Sequence, residues 1–300
     1  MKTRITFLTP TYNREKLLGN LYLSLIRQTF KGFEWLIIDD GSEDSTRDMV
    51  SEWLESEQRF TIRYYRTENG GKHRAVNKGL DLAQGEILMV MDSDDILTDD
   101  AAEKINEWFL SISPHKAIKG VVANRGFTAN STVNVLFKEK YLDKSLLEMH
   151  TYREDGEYVL NGERAICFYT DFHRKYRYPE FDGEKFLTEA IVYNRMAHDG
   201  YKMRFVNDII WIFDYKDDGL TKQGGELYLK NPRGYGLWIK EYLLFTGAPL
   251  YRRFLSYYSF TCDCIGRYTD SEIADYLGIS RWIIRMFLFL NGRKHSPKLG

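Results

Sequence analysis

The chain has 300 residues, enough for one large domain or two modest ones, and its 43% hydrophobic and 28% charged residues exclude global disorder. Its net charge of -1 excludes a general electrostatic grip on nucleic acid, which needs a clustered basic surface. Three cysteines, Cys167, Cys262 and Cys264, are too few for a disulfide framework or a zinc site and read as reduced thiols of a cytosolic protein.

Ile5 to Leu8 is a short apolar run ending at Thr9-Pro10, the pattern of a buried strand. It is too short for a signal sequence, and no run of about eighteen apolar residues follows to span a membrane. Leu17, Leu18, Leu21, Leu25 and Ile26 then recur at helical spacing. Phe33 to Ile38 is a second strand, stopped by Asp39-Asp40-Gly41-Ser42. Met49, Val50, Trp53 and Leu54 share one face of a helix over 44–57, and Thr61 to Tyr65 is a third strand. Asn69-Gly70-Gly71 turns the chain into a helix through Ala75, Val76 and Leu80. Glu86 to Met91 is a fourth strand, and it ends in Asp92-Ser93-Asp94-Asp95. A helix over 101–112 and a strand from Ile118 to Ala123 follow. Residues 125–185 mix short strand-like pieces with charged loops. A helix returns from Thr188 to Gly200, and Tyr201 to Phe213 holds one or two strands. Beyond Gly224-Gly225 the composition is aromatic and helical to about residue 290, which sets an expected boundary near residue 222.

Alternating strands and helices joined by short loops predict an α/β fold with a mostly parallel sheet covered on both faces. Ligands of such sheets bind beyond the carboxyl ends of the strands. The polar clusters at 9–14, 39–44 and 92–95 all fall at such ends. Carboxylates leaving a strand at Asp92, Asp94 and Asp95 have the oxygen chemistry to hold Mg²⁺ or Mn²⁺, or else to make an acidic turn that caps the next helix. Asp39 and Asp40 open a second acidic end, suited to a base N–H or a ribose hydroxyl, or to a turn and cap. In the third, Tyr12 offers a stacking face and Arg14 a partner for phosphate, with a plain loop as the alternative. Six histidines are scattered, and His73, beside Lys72, reads as a surface residue, with a phosphate-facing one as the alternative.

Thr-Pro-Thr-Tyr-Asn-Arg at 9–14, Asp-Asp-Gly-Ser at 39–42 and Asp-Ser-Asp-Asp at 92–95 together resemble the signature of the family 2 glycosyltransferases. Gln28-Thr29-Phe30, Asn69-Gly70-Gly71-Lys72 and Asn77-Lys78-Gly79 fall where that family has similar residues. The resemblance implies a GT-A, Rossmann-like domain over 1–222, with a nucleotide-binding half (1–100) and an acceptor half (101–222), and a helical C-terminal extension over 223–300. It implies inverting transfer of one sugar from a nucleotide-diphosphate sugar, UDP by default, to a glycan or lipid-linked acceptor. Thr9, Pro10 and Tyr12 would line the base pocket, with Arg14 beside them. Asp40 would accept from the base or ribose, and Lys72 would contact the nucleotide. Asp92 and Ser93 would approach the ribose or metal, Asp94 would ligate Mn²⁺ or Mg²⁺, and Asp95 would support the loop.

The family's base is a carboxylate, usually in a Glu-Asp pair opening a helix. Here the matching stretch is Phe186-Leu187-Thr188-Glu189-Ala190, which makes Glu189 the expected catalytic base and leaves Asp182, Glu184 and Asp218 as alternatives. Asp217 to Thr221 resembles a segment that closes over the diphosphate in some relatives. Processive relatives carry Gln-x-x-Arg-Trp, whereas Arg281-Trp282 is preceded by Gly278, which favours single-sugar transfer. The basic, apolar run from Ser280 to Leu290 reads as a helix packed on the main domain, with peripheral contact at the inner face of a membrane as the alternative. A sugar-nucleotidyltransferase is the competing enzyme class, but residues 9–14 lack the glycine-rich phosphate loop it would need. A non-catalytic nucleotide-sugar-binding module is the third reading, hinted at by Ala190.

Overall fold

The computed structural model describes residues 3–57, 59–113, 115–132, 134–213 and 224–295. The chain divides into two compact units, Met1–Tyr178 with Met196–Lys216, and Pro179–Arg195 with Asp217–Gly300. The boundary expected near residue 222 and the Asp217 to Thr221 segment lie outside the described residues.

The first unit opens with β1 (Ile5–Thr11), α1 (Leu18–Ile26), β2 (Phe33–Asp39), α2 (Thr46–Ser56), β3 (Thr61–Arg66), α3 (Lys72–Leu82) and β4 (Ile87–Val90). It continues with β5 (Ile96–Leu97), α4 (Ala101–Ile112), β6 (Ile118–Thr128), β7 (Ser131–Thr132) and β8 (Leu142–Lys144), then a 3-10 turn at Leu146–His150. It then has β9 (Arg164–Tyr169) and α5 (Thr170–His173). Helix α6 (Ala190–His198) follows, starting in the second unit and ending in the first, and β10 (Lys202–Ile212) completes the unit.

The strands form one sheet in the order β3-β2-β1-β4-β9-β6-β10-β5. Pairing is parallel from β3 through β4, as the alternating pattern predicts. It then turns antiparallel, because β9 inserts between β4 and β6. Strand β10 runs parallel to β6 and antiparallel to β5 and β8. Both β1 and β2 are buried along their whole length, as expected of central strands covered on both faces. The main core packs Phe7, Trp35, Ile37, Leu21, Leu25, Met89 and Phe109 with their neighbours.

Strand β1 runs past the expected end at Leu8 and takes in Pro10. Leu8 O accepts Met91 N on the β4 side, and Thr11 O accepts Asp40 N on the β2 side, each at 2.8 Å. By alternation the missing N–H of Pro10 faces the β4 side, beyond the last β1–β4 pair at Leu8 and Val90, so no ladder bond is lost.

The second unit contains α7 (Gly224–Leu229), α8 (Pro232–Phe245), α9 (Leu250–Asp263), α10 (Asp270–Leu277) and α11 (Arg281–His295). These helices share their own core, built on Ile239, Leu243, Phe260, Ile273, Leu277, Ile284 and Phe287. The other stretch of the unit is tied to them by hydrogen bonds. Asn231 Oδ1 accepts from the backbone of Lys185 (2.9 Å) and Phe186 (3.0 Å). Arg195 grips Glu241 with two bonds of 2.8 and 2.6 Å. No helix among the described residues is long and apolar enough to cross a membrane.

Candidate active site

The three polar clusters leave the carboxyl ends of β1, β2 and β4, which are neighbours in the sheet. The loop after β1 is laced to the loop after β2. Ser42 Oγ accepts Asn13 N at 2.9 Å, Asn13 Oδ1 accepts Glu43 N at 2.8 Å, and Thr46 Oγ1 accepts Arg14 N at 3.2 Å. Asn13 adopts φ +52°, a left-handed turn that Asn tolerates. Tyr12 emerges from this frame 45% exposed, with its ring available for stacking. Pro10 is buried, and the Thr9 hydroxyl faces the core, where it accepts from the Trp35 indole at 3.0 Å.

Asp39 and Asp40 divide their work. Asp39 is fully buried, accepts Ser42 N at 2.7 Å and also accepts the Tyr64 hydroxyl. Asp40 reaches the turn after β3, where its two carboxylate oxygens accept Gly70 N and Gly71 N, each at 2.8 Å. The same turn needs Gly71 at φ +96°, and its glycines let the backbone approach the carboxylate. Opposite it, Gly41 sits at φ +84°, where a Cβ would lie 3.0 Å from Asn69 N. Asp40 therefore sets the turn from which α3 starts, and Lys72 is the first residue of that helix.

Lys72 Nζ reaches Asp92 Oδ1 at 2.6 Å, and Arg125 Nη2 lies 3.5 Å from Asp92 Oδ2. Burial opposes ionisation of Asp92, but the two cations outweigh it and hold the carboxyl at about 2. The same Arg125 nitrogen is 3.2 Å from Asp95, while Arg125 Nη1 is 2.8 Å from Glu163. The Arg125 guanidinium also lies 3.6 Å from the centre of the Trp211 ring. Asp95 is pushed up to about 7 by burial, partly relieved by Arg125 and reinforced by the charges of Asp92 and Asp94. Ser93 is buried between them. Asp94 is half-buried and makes no ion pair among the described residues.

Among the described residues no group of three or more His, Cys, Asp or Glu side chains is assembled for a metal. A metal ion at this loop would draw one or two carboxylates from the described residues. That share suits a hard cation whose remaining ligands are phosphate oxygens and water, so the residues fit Mg²⁺ or Mn²⁺ bound together with a diphosphate.

A cleft of about 760 Å³ borders the same edge, lined by Gly41, Glu43, Arg47, Tyr64, Arg66 and Asn69 among others. Tyr12, Asp40, Asp92 and Asp94 do not line it, so the convergence of side chains, not the cleft, marks the site.

In the second unit Glu189 is half-buried immediately before α6, and Tyr193 Oη approaches its carboxylate at 3.4 Å. Glu184, one of the alternatives, accepts Arg233 N (2.7 Å) and Gly234 N (2.9 Å) and so caps the first turn of α8. Asp182 is exposed, and Asp218 lies outside the described residues. His73 is 4% exposed, which corrects its reading as a surface residue: it sits on the buried face of α3 with Val76, Asn77 and Leu80. Arg125 was not singled out in the sequence. Its signal was a lone arginine two residues past the expected end of a strand, and β6 in fact continues through it.

The fold is that of the GT-A glycosyltransferases. It matches Staphylococcus aureus TarS residues 1–349 in complex with UDP at a TM-score of 0.59 and 15% identity, over 98% of this chain and 93% of that one. It also matches the mannosyltransferase PcManGT from Pyrobaculum calidifontis in complex with GDP-Man and Mn²⁺ at a TM-score of 0.57 and 14% identity, over 98% and 88%. Residues 6–152, just under half of the chain, match the glycosyl transferase family 2 model, so this stretch is similar to the family 2 glycosyltransferases. Glycosyltransferase GlyG of Streptococcus pneumoniae is 24% identical over 225 residues, 74% of each chain. Curated TarS, a poly(ribitol-phosphate) beta-N-acetylglucosaminyltransferase, is 27% identical over 48% of this chain and 25% of its own length.

Proposed function

We propose that the chain moves one sugar from a nucleoside-diphosphate sugar, UDP-linked, to a hydroxyl of a glycan or lipid-linked acceptor, with inversion, in the synthesis of a surface polysaccharide. The observation that carries this reading is the meeting of Tyr12, Asp40, Lys72 and the 92–95 acids at adjacent strand ends, linked by the Asp40–Gly71 and Lys72–Asp92 bonds. The UDP-bound and UDP-GlcNAc-bound TarS structures support the choice of nucleotide. TarS, named for its poly(ribitol-phosphate) acceptor, supports a glycan-like polymer as acceptor.

In this reading Tyr12 stacks on the base, with the main chain at Thr9 and Pro10 beneath it and Arg14 alongside. Asp40 holds the Gly70–Gly71 turn and accepts from the base or ribose. Lys72 meets the diphosphate, and Asp92 with Ser93 faces the ribose. Mn²⁺ or Mg²⁺ held by Asp94 would neutralise charge on the departing diphosphate. Glu189 takes the proton of the acceptor hydroxyl, whose oxygen bonds to the anomeric carbon from the face opposite the diphosphate as the old carbon–oxygen bond breaks. The protein works in the cytoplasm, where such donors are made.

Thermal denaturation with a panel of nucleotide sugars and Mn²⁺, read beside release of the free nucleotide, tests the proposal. A hundredfold excess of the right donor over its dissociation constant adds about 2.7 kcal/mol. Asp94→Asn should lose the metal-dependent part of turnover, and Glu189→Gln should keep the donor-induced shift but lose turnover. Full activity in the first variant removes the metal role, and in the second it moves the base elsewhere. Pyrophosphate formed from a sugar phosphate and a nucleoside triphosphate would favour a nucleotidyltransferase instead.

A further inference from the structure

Helices α8 and α9 of the second unit form a hairpin, closed by Ala248 N donating to Leu243 O at 2.9 Å and Gly247 N donating to Leu244 O at 3.1 Å. Its tip is unlike the rest of the helical core. Leu244 is 59% exposed, Leu250 82%, Tyr251 61%, Phe254 41% and Leu255 57%. Helix α9 buries Phe260 and Thr261 towards its far end, so the start of the helix carries its apolar weight outward. A contiguous group of this kind on a soluble surface marks an interaction site.

The charge around the tip selects its partner. Arg252 and Arg253 lie among these side chains, and Arg253 Nε is anchored to Ala248 O at 2.9 Å. From Tyr242 to Cys262 the sequence has no acidic residue. Helix α11 packs against this hairpin through Phe287, whose ring is 5.1 Å from that of Phe254. Large apolar and tyrosine side chains interleaved with arginine suit the boundary between lipid headgroups and acyl chains. A protein partner of matching charge would have to present an acidic, apolar groove, whereas an anionic bilayer offers both properties everywhere on its surface.

We propose that the α8–α9 tip docks on an anionic lipid surface. Leu250, Tyr251 and Leu255 enter the headgroup boundary, and Arg252 and Arg253 meet the anionic headgroups. The contact is shallow, since α9 is far shorter than a membrane span. Docking needs nothing from the transfer chemistry, so nucleotide-sugar turnover in solution is measured separately.

The test is sedimentation of the full chain with vesicles of phosphatidylcholine alone and of equal parts phosphatidylcholine and phosphatidylglycerol. Binding should require the anionic lipid and weaken with salt. Arg252→Gln with Arg253→Gln should weaken it by about 25-fold, about fivefold for each arginine. Leu250→Ser with Leu255→Ser should weaken it about tenfold or more. Leu250, Arg252 and Leu255 are exposed, so turnover should stay as in the parent in both variants, and the thermal midpoint should fall only in the arginine pair, where Arg253 loses its bond to Ala248 O. Failure of the intact chain to sediment, or equal binding by the double variants, overturns the proposal. A dimer in analytical ultracentrifugation that Leu250→Ser with Leu255→Ser dissolves, without vesicle binding, also overturns it.

Discussion

Arg125 joins three carboxylates that would otherwise repel one another. Its guanidinium reaches Asp92, Asp95 and Glu163 and stacks on Trp211, a fork-shaped arrangement that a lysine could not reproduce. Glu57 shows the same economy away from the site. Its side chain is 1% exposed, paired with Arg59 by bonds of 2.9 and 2.6 Å, and it accepts from Tyr22 at 3.2 Å. Hydrogen bonding to Arg59, against the cost of burial, holds the carboxyl at about 2 instead of 4.5. Because the folded value lies below the unfolded one, the stabilisation is complete above about 4.5 and is lost as pH falls towards 2. That range bounds the contribution at about 3 kcal/mol, and screening at the half-exposed Arg59 reduces it to about 1–2 kcal/mol. Glu57→Gln should therefore lower the thermal midpoint at pH 7 and lower it by much less at pH 2.5, measured by circular dichroism.

At the scale of elements, α3 lies against β1 at Gly79, where a Cβ would fall 2.3 Å from Leu8 Cδ1. Gly79→Ala gains about 1 kcal/mol of helix propensity, but overpacking typically costs about 1–3 kcal/mol. A net loss of about 1 kcal/mol is expected, visible as a lower urea midpoint with an unchanged slope. The Asn77-Lys78-Gly79 stretch, which resembles a family motif, thus has a packing reason of its own. Asn77 supports it by bonding both backbone groups of Tyr178, at 2.9 and 3.0 Å. The first hundred residues were legible because each buried strand or amphipathic helix carries its own period, and each strand end carries its polar cluster. Residues 125–185 were not, for physical reasons. Strands β7 and β8 have two and three residues, too few to show a period. Strand β9 is recruited between β4 and β6 by pairing with residues forty or more positions away, which leaves no local mark. The strand-end acids and Lys72 stood out in the sequence, whereas Arg125 did not. Nothing in a lone Arg125 says that it will meet Asp92, whereas three acids in four residues announce themselves.

For the whole molecule, the feature with most consequence is a second unit drawn from two stretches of chain. The Glu184 carboxylate, the Lys185 and Phe186 amides and the Arg195 guanidinium all find partners between Asn231 and Glu241. Removing residues 224–295 leaves each of these groups without its partner, and each such loss costs about 1–3 kcal/mol where the group stays buried. The shortened chain should show a sharp fall in soluble yield and no sugar transfer. Donor-induced thermal shifts should persist in whatever remains soluble, because Tyr12, Asp40 and Lys72 belong to the first unit.

The same discontinuity puts a clock on biosynthesis. Leu187, Ile191 and Val192 leave the ribosome some forty residues ahead of Asn231 to Glu241, which at about 5–20 residues per second means a wait of several seconds. During that interval the segment bearing Glu189 is an apolar stretch lacking its later helical partners, a natural target for a chaperone. A slow codon placed between residues 200 and 230 would lengthen its exposure and should raise the aggregated fraction without changing a single amino acid.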